Sequence, residues 1–392
     1  MKFREPKSIF NHIASRELNS FHVQKRPKMD KLLSVYNEIE AIHIFNDEFD
    51  FIPFAISFSK TSKRCYDIAV ADEHGYVTLF DTRRNKTKKI CEWIAHQVSS
   101  TVFFTEVYDL CWIKEDTQIL TASGDKTVKV WDLQQKDCLG ALRGHTDFVQ
   151  SICSHPTNHD IIVSGSRDKS FRLWDLRCKS NAESGDGEIS ISSTAVVKRA
   201  HLYYDEEDRQ VDSMGIRSVL WLKDQVSIAT AGSKDSVPKF WDTRYLKQDV
   251  TYTGLLPRST EKQRLHGLTS LSQDDHGVFL LASCKDNRIY LYNILQNKKE
   301  PLRYFEGDRI SFSGKAAISP DALNIGCCSR EGKVYIWQLN KPEEEPTILS
   351  PKEEESAYGF YWSGYGIKKL QFQNKVSPFA IQIRVMAMLS KE

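Results

Sequence analysis

One unit recurs six times along this chain, and its recurrence restricts the fold more than any other feature. In each copy a run of apolar and small residues leads into a polar turn. A second, alternating run then closes on an aromatic residue. The closing positions are Phe80, Trp131, Trp174, Trp241, Tyr292 and Trp337, spaced 51, 43, 67, 51 and 45 residues apart. A period in this range marks stacked supersecondary units, none of which buries its apolar face alone. Each copy reads as a β-hairpin, because both arms alternate and turn residues lie between them. The clearest copies are ILTASGDKTVKVWD (119–132), IIVSGSRDKSFRLWDLR (161–177) and IATAGSKDSVPKFWDTR (228–244).

Short strands at this spacing, with no helical periodicity between them, predict an all-β chain. Radial repetition is the arrangement that leaves such strands few exposed edges, so the expected fold is a β-propeller. Seven blades are expected, the last divergent or incomplete. Residues 1–40 read as an N-terminal arm with some helical character, 41–349 as the propeller, and 350–392 as a divergent C-terminal segment. Segment 178–215 explains the long third interval. It is rich in Ser, Gly and acidic residues, a composition expected to form a mobile loop. A second insertion, QVSSTVFFTE at 97–106, lengthens a link expected to be tight. After Trp337 the pieces Ala357–Trp362, Ile367–Phe372 and Phe379–Met386 retain strand character. They leave two outcomes open: an improvised seventh blade closed by an N-terminal strand, or an incompletely closed ring.

Bulk properties exclude several function classes. The 392 residues carry 54 basic and 52 acidic side chains, a formal net charge of +2. Nucleic-acid binding through overall charge is therefore not expected. Nine cysteines, an odd number with no C-x-x-C pair, read as reduced thiols without a zinc site. No secretory signal or apolar span is visible, so a soluble intracellular protein with no membrane partner is expected. Two basic runs, Lys25-Arg26-Pro27-Lys28 and RRNKTKK (83–89), match short nuclear import signals and equally match solvated loop charge.

Three copies hold the same four polar residue types at repeat-locked positions. They are His145, Ser164, Asp168 and Trp174; His201, Thr230, Asp235 and Trp241; and His96, Thr121 or Ser123, Asp125 and Trp131. A turn carboxylate holding a His, the His meeting a strand hydroxyl, and that hydroxyl meeting an indole N–H would make a buried network. A nucleophile–base–carboxylate reading fails, because an active site is unique and these sets repeat. No phosphate loop, nucleophile elbow or metal-ligand spacing appears, so no catalytic residue, metal or cofactor is expected.

Two consecutive copies also end in a complete Trp-Asp-x-Arg: Trp174-Asp175-Leu176-Arg177 and Trp241-Asp242-Thr243-Arg244. The first copy is weaker, with Phe80-Asp81-Thr82-Arg83, and the second places Gln134 at the Arg position. Each arginine is expected just past a strand end, on a blade rim. There it either makes bidentate contact with a partner or pairs with an acid of the neighbouring blade. Two such arginines on one face favour docking.

These endings, with their small-residue and Asp spacing, resemble WD40 receptors of cullin-4 ubiquitin ligases. The strings CEWIAH (91–96), VYDLCW (107–112), SGSRDKSFRLWDLRCKS (164–180) and FWDTRYLK (240–247) are similar to the denticleless family of replication-coupled receptors. The similarity covers roughly residues 50–349. It implies a nuclear, non-catalytic substrate receptor. Arg177 and Arg244, supported by Asp175, Asp242, Trp174 and Trp241, would dock on the damaged-DNA-binding adaptor. Substrates would be replication or cell-cycle proteins, including ones presented on the DNA sliding clamp. The chain departs from the family where its final blade becomes unrecognisable. The alternative is a WD40 scaffold or histone-tail reader without a ligase role.

Overall fold

In a computed structural model of the chain, residues 53–391 are described, with gaps at 62–66, 82–87, 98–103, 184–187, 205–209, 247–265, 297–299, 307–314, 320–321, 329–333, 342, 350–364 and 378–379. The expected arm at 1–40 and the run at 25–28 lie outside these residues, as do Arg83 and the piece 357–362.

Strands account for nearly all of the described regular secondary structure. Blade one is β1 (Pro53–Phe58), β2 (Asp67–Asp72), β3 (Tyr76–Asp81) and β4 (Lys88–Ile94), paired in that order. Blade two is β5 (Val107–Ile113), β6 (Gln118–Ser123), β7 (Val128–Asp132) and β8 (Cys138–Leu142). Blade three is β9 (Val149–Ser154), β10 (Ile161–Ser166), β11 (Ser170–Glu183) and β12 (Ile189–Lys198). A two-stranded hairpin follows, β13 (His201–Tyr204) with β14 (Gln210–Met214). Blade four is described as three strands, β15 (Ile216–Trp221), β16 (Ser227–Gly232) and β17 (Lys239–Asp242). Blade five is β18 (Leu268–Gln273), β19 (Phe279–Cys284), β20 (Arg288–Asn293) and β21 (Arg303–Glu306). Blade six is β22 (Ala317–Ile318), β23 (Asn324–Cys328), β24 (Val334–Gln338) and β25 (Thr347–Leu349), and a hairpin β26 (Tyr365–Ser377)–β27 (Ala380–Lys391) ends the chain.

The first strand of each blade lies against the first strand of the next: β1 by β5, β5 by β9, β9 by β15, β15 by β18 and β18 by β22. The terminal strand β26 then lies against both β22 and β1. The fold is thus an all-β propeller of WD40 type. Its seventh position is held by a two-stranded hairpin that overlaps the strand pieces expected from Ile367 and Phe379 onward.

The core explains why small residues recur on each second strand. Every apolar cluster but one is shared by two consecutive blades, for example Trp93 and Ala71 of blade one with Trp112 and Trp131 of blade two. Each fully buried Leu or Ile contributes about 1.5–3 kcal/mol relative to its exposed state. Close blade approach demands small side chains at the seam. A Cβ added to Gly165 would lie 2.6 Å from Val219 Cγ1 and 2.7 Å from Ile216 Cγ2 of the next blade.

Segment 178–215 corrects the sequence expectation. Instead of a mobile loop it carries the end of β11, the whole of β12 and the β13–β14 hairpin. The polar composition misled because β12 is half-buried, with Ile191 only 2% exposed. β12 pairs antiparallel with β11 and meets β8 of blade two in parallel, through Ser190↔Ala141 and Ile191↔Leu142. Glu188 strengthens the join, accepting from Lys129 Nζ at 2.7 Å and Arg143 Nη2 at 2.8 Å. Blades two and three therefore share one eight-stranded sheet.

Candidate adaptor-docking face and the networks behind it

The three polar sets assemble with one geometry. In blade three, His145 Nδ1 lies 2.8 Å from Asp168 Oδ2 and Nε2 lies 2.8 Å from Ser164 Oγ, while Trp174 Nε1 donates to Ser164 Oγ at 2.8 Å. In blade four, His201 lies 2.8 Å from Asp235 and 2.9 Å from Thr230, and Trp241 donates to Thr230 at 2.8 Å. In blade two the distances are 2.5 Å from His96 to Asp125, 2.8 Å to Thr121, and 3.2 Å from Trp131 to Thr121. Of the two hydroxyls left open by sequence, Thr121 joins the network. Ser123 instead accepts the Asp125 N–H at 3.2 Å.

Donor and acceptor bookkeeping fixes the proton positions. An indole N–H can only donate and a carboxylate can only accept. A neutral imidazole protonated on Nδ1 donates to Asp168 and accepts the Ser164 hydroxyl proton on Nε2, leaving that oxygen to accept from Trp174. Every member is then satisfied. A sequence reading of four residues missed a fifth: Ser170 Oγ donates to Asp168 Oδ1 at 2.6 Å, and Thr127 Oγ1 to Asp125 Oδ1 at 2.8 Å. The legible signal was Asp-Lys followed by Thr or Ser in both turns, where Lys126 and Lys169 take the left-handed conformation.

Replacing Asp168 with Ala is expected to destabilise the protein by about 1–3 kcal/mol, because His145, Ser170 and the Thr146 N–H lose their acceptor. An unchanged denaturation midpoint would refute this role.

The network also makes stability depend on pH. Burial holds the His145 pKa below its ordinary value, and Arg172 adds to this against the pull of Asp168. Burial would raise Asp168, but hydrogen bonds from His145, Ser170 and Thr146 outweigh it and hold that carboxyl well below its usual range. Asp125 is lowered in the same way by His96 and Thr127. The unfolded chain therefore binds protons first on the acid side. The His145 contribution is complete above about pH 6.5 and the carboxylate contributions above about pH 4, and both are lost as pH falls. Thermal midpoints should decline from about pH 6.5 downward and more steeply below about 4. A flat profile from pH 7 to 3 would contradict the network.

The two arginines sit at the opposite end of the same hairpins. Arg177 follows Asp175, which pairs in register with Ile161 at the start of β10, and Arg244 follows Asp242, which pairs with Ser227 at the start of β16. Arg244 lies just past the end of β17. Arg177 differs from expectation, since β11 runs on to Glu183 and the residue lies within the strand.

Among the described residues, neither guanidinium reaches a neighbouring blade's acid. Arg177 Nε and Nη2 donate to Asp175 at 2.9 and 2.6 Å, and Arg244 Nε and Nη2 donate to Asp242 at 2.9 and 2.6 Å. The same aspartates accept the arginine backbone N–H at 3.0 and 2.9 Å, closing an Asx turn. In blade two Asp132 accepts the Gln134 N–H at 2.8 Å, so the turn forms there without the guanidinium. The hydrogen bond from Arg244 holds the Asp242 carboxyl down to about 2, and that from Arg177 lowers Asp175. The arginine side chains remain 63% and 69% exposed. Two of five N–H donors on each are committed to the Asp, and the rest face solvent in a fixed orientation.

Among the described residues no group of three or more His, Cys, Asp or Glu is arranged to hold a metal. No described helix is long and apolar enough to cross a membrane.

The WD domain, G-beta repeat model matches residues 90–132 and 136–175. The denticleless protein homologs of chicken and mouse are 32% and 29% identical to the chain over 324 and 319 residues. The fruit-fly protein lethal(2)denticleless is 28% identical over 322 residues. Each match covers 77% of this chain, which spans only 43%, 43% and 41% of those relatives. Repeat, propeller and similarity agree that this chain carries WD40 repeats and is similar to the denticleless proteins.

Proposed function

We propose that the chain is a non-catalytic substrate receptor of a cullin-4 RING ubiquitin ligase, working in the nucleus. Arg177 and Arg244 dock on the damaged-DNA-binding adaptor. Asp175 and Asp242 hold them, and Trp174 and Trp241 anchor the strands that carry them. Another surface recruits replication or cell-cycle proteins, including ones presented on the DNA sliding clamp, for ubiquitination by other subunits. The observation that carries this reading is the pair of exposed guanidiniums, each fixed bidentately by the preceding Asp at equivalent places in consecutive blades. A propeller acting as a plain scaffold or histone-tail reader has no need of two pre-oriented arginines on one rim. Pre-ordering lowers the entropy lost on docking.

The test is capture of the purified adaptor by the purified chain. Stoichiometric capture supports the receptor reading. A folded chain that leaves the adaptor in solution overturns it in favour of a scaffold.

A further inference from the structure

Three blades repeat a cation that none of the networks uses. The residue just before the turn Asp is Arg167 in blade three, Lys234 in blade four and Lys285 in blade five, and all three are exposed. These turns follow the C-terminal ends of β10, β16 and β19, whereas Arg177 and Arg244 lie beside the N-terminal ends of β10 and β16. A six-residue strand separates the two rims by roughly 20 Å. The cations therefore occupy the face that adaptor docking leaves free.

Arg217, at the start of β15, joins this group. Partial desolvation and then the like charge of Arg167 disfavour its protonated form. Desolvation, then Arg217, and then Lys234 do the same for Lys285. The register agrees: Ile216 pairs with Gly232 and Leu268 with Cys284 in adjacent blades, so Arg217, Lys234 and Lys285 stand at one rim and form a local positive excess that an anion would relieve. Arg167 lies 3.8 Å from Asp147. No carboxylate of the described residues forms an ion pair with Arg217, Lys234 or Lys285.

The cations border an aromatic shelf. Tyr108 stacks on Phe148 at 6.0 Å, Phe104 meets Phe148 at 5.0 Å, and the Arg167 guanidinium lies 5.6 Å over the Phe148 ring. Phe104 is 52% exposed, although a large ring gains by burial. The Arg167 contact sets the shelf at the cationic rim, and Arg167 and Arg217 both act electrostatically on the Tyr108 hydroxyl.

We infer that this face, formed by Phe104, Tyr108 and Phe148 beside Arg167, Arg217 and Lys285, binds an acidic protein segment with an aromatic or apolar side chain among its carboxylates. The aromatic residue packs on the shelf and the carboxylates meet the cations. Asp147 and Glu106 also act on Tyr108, so the cations alternate with acids, a pattern that suits a peptide with spaced carboxylates and an uncharged ring better than a continuous row of phosphates. Naming the occupant as a substrate segment rests on the receptor reading above. The chemistry of the face does not.

The probe is a fluorescein-labelled peptide with the core Glu-Glu-Phe-Glu-Glu, followed by anisotropy, beside a Lys-Lys-Phe-Lys-Lys counterpart and a twelve-nucleotide single strand. The acidic peptide should bind the full chain, weaken as salt rises, and bind at least tenfold less to an Arg217→Ser, Lys285→Ser variant. Tyr108→Ala should weaken it while leaving the salt dependence in place. Adaptor capture by the Arg217→Ser, Lys285→Ser variant should equal that of the parent. Equal binding of the two peptides, or undiminished binding by the variant, would overturn the inference. Tighter binding of the oligonucleotide would transfer the face to nucleic acid. If the variant fails to fold, the charge-swapped peptide on the unaltered chain still decides. Peptide binding without adaptor capture would sink the receptor reading and leave the face intact.

Discussion

Replacing Arg177 and Arg244 together with alanine is expected to abolish capture of the cullin-4 adaptor while leaving the propeller folded. Each guanidinium is exposed, and in the free chain its ion pair is a surface pair of little consequence for stability. The Asx turns persist without the side chain, as Asp132 and Gln134 show. The thermal midpoint should therefore match the parent. At an interface the balance differs. A pre-oriented arginine meeting acceptors of a partner is a frequent hot spot, and losing one costs on the order of a hundredfold in affinity. Two losses on one rim take a tight complex out of a pull-down's range. Arg177→Lys should fare almost as badly as Arg177→Ala, since an ammonium cannot hold the Asp bidentately and still point outward. Affinity equal to the parent in the double variant would end the docking assignment, whatever the parent captures.

The largest expected loss of stability comes from Trp174→Ala. Its indole is fully buried and lies in the apolar cluster shared by blades two and three, with Ile162, Val149 and Ile191. Removing it opens a cavity at a seam and withdraws a donor from Ser164. The expected cost is about 3–5 kcal/mol. Trp174→Phe separates the two contributions. It keeps most of the packing, and Ser164 still donates to His145, so the loss should be about 1–2 kcal/mol. Urea unfolding of both variants reads the difference directly. An alanine variant as stable as the phenylalanine variant would show that the ring contributes little packing at that seam.

How much of this was legible depended on whether a feature was local or long-range. The hairpins, the closing aromatics and the tetrad offsets are local, because residues 10 or 11 apart across one hairpin, such as Ser164 and Trp174 or Thr230 and Trp241, must meet once the strands pair. The match of His145 to Asp168 spans 23 residues, against 29 and 34 in the other two networks, and is readable only because each copy has a His ahead of its hairpin. Segment 178–215 was misread for the opposite reason. The order of β12 comes from β8 of another blade and from Glu188 bridging Lys129 and Arg143. No composition window contains those partners.

Sequence alone determined the all-β class, the repeat, the three polar networks and the two arginines, because each rests on a pattern that recurs from one hairpin to the next. Tertiary structure decided what spacing cannot encode. It set the partner of each guanidinium as the aspartate two residues before it, joined blades two and three into one sheet, and placed β26 between the sixth blade and the first. It also set Arg167 of blade three over Phe148, against Tyr108 of blade two. The physical reason is the same throughout: a propeller's hairpins are local, but its faces and its closure exist only once the blades are packed around a common axis.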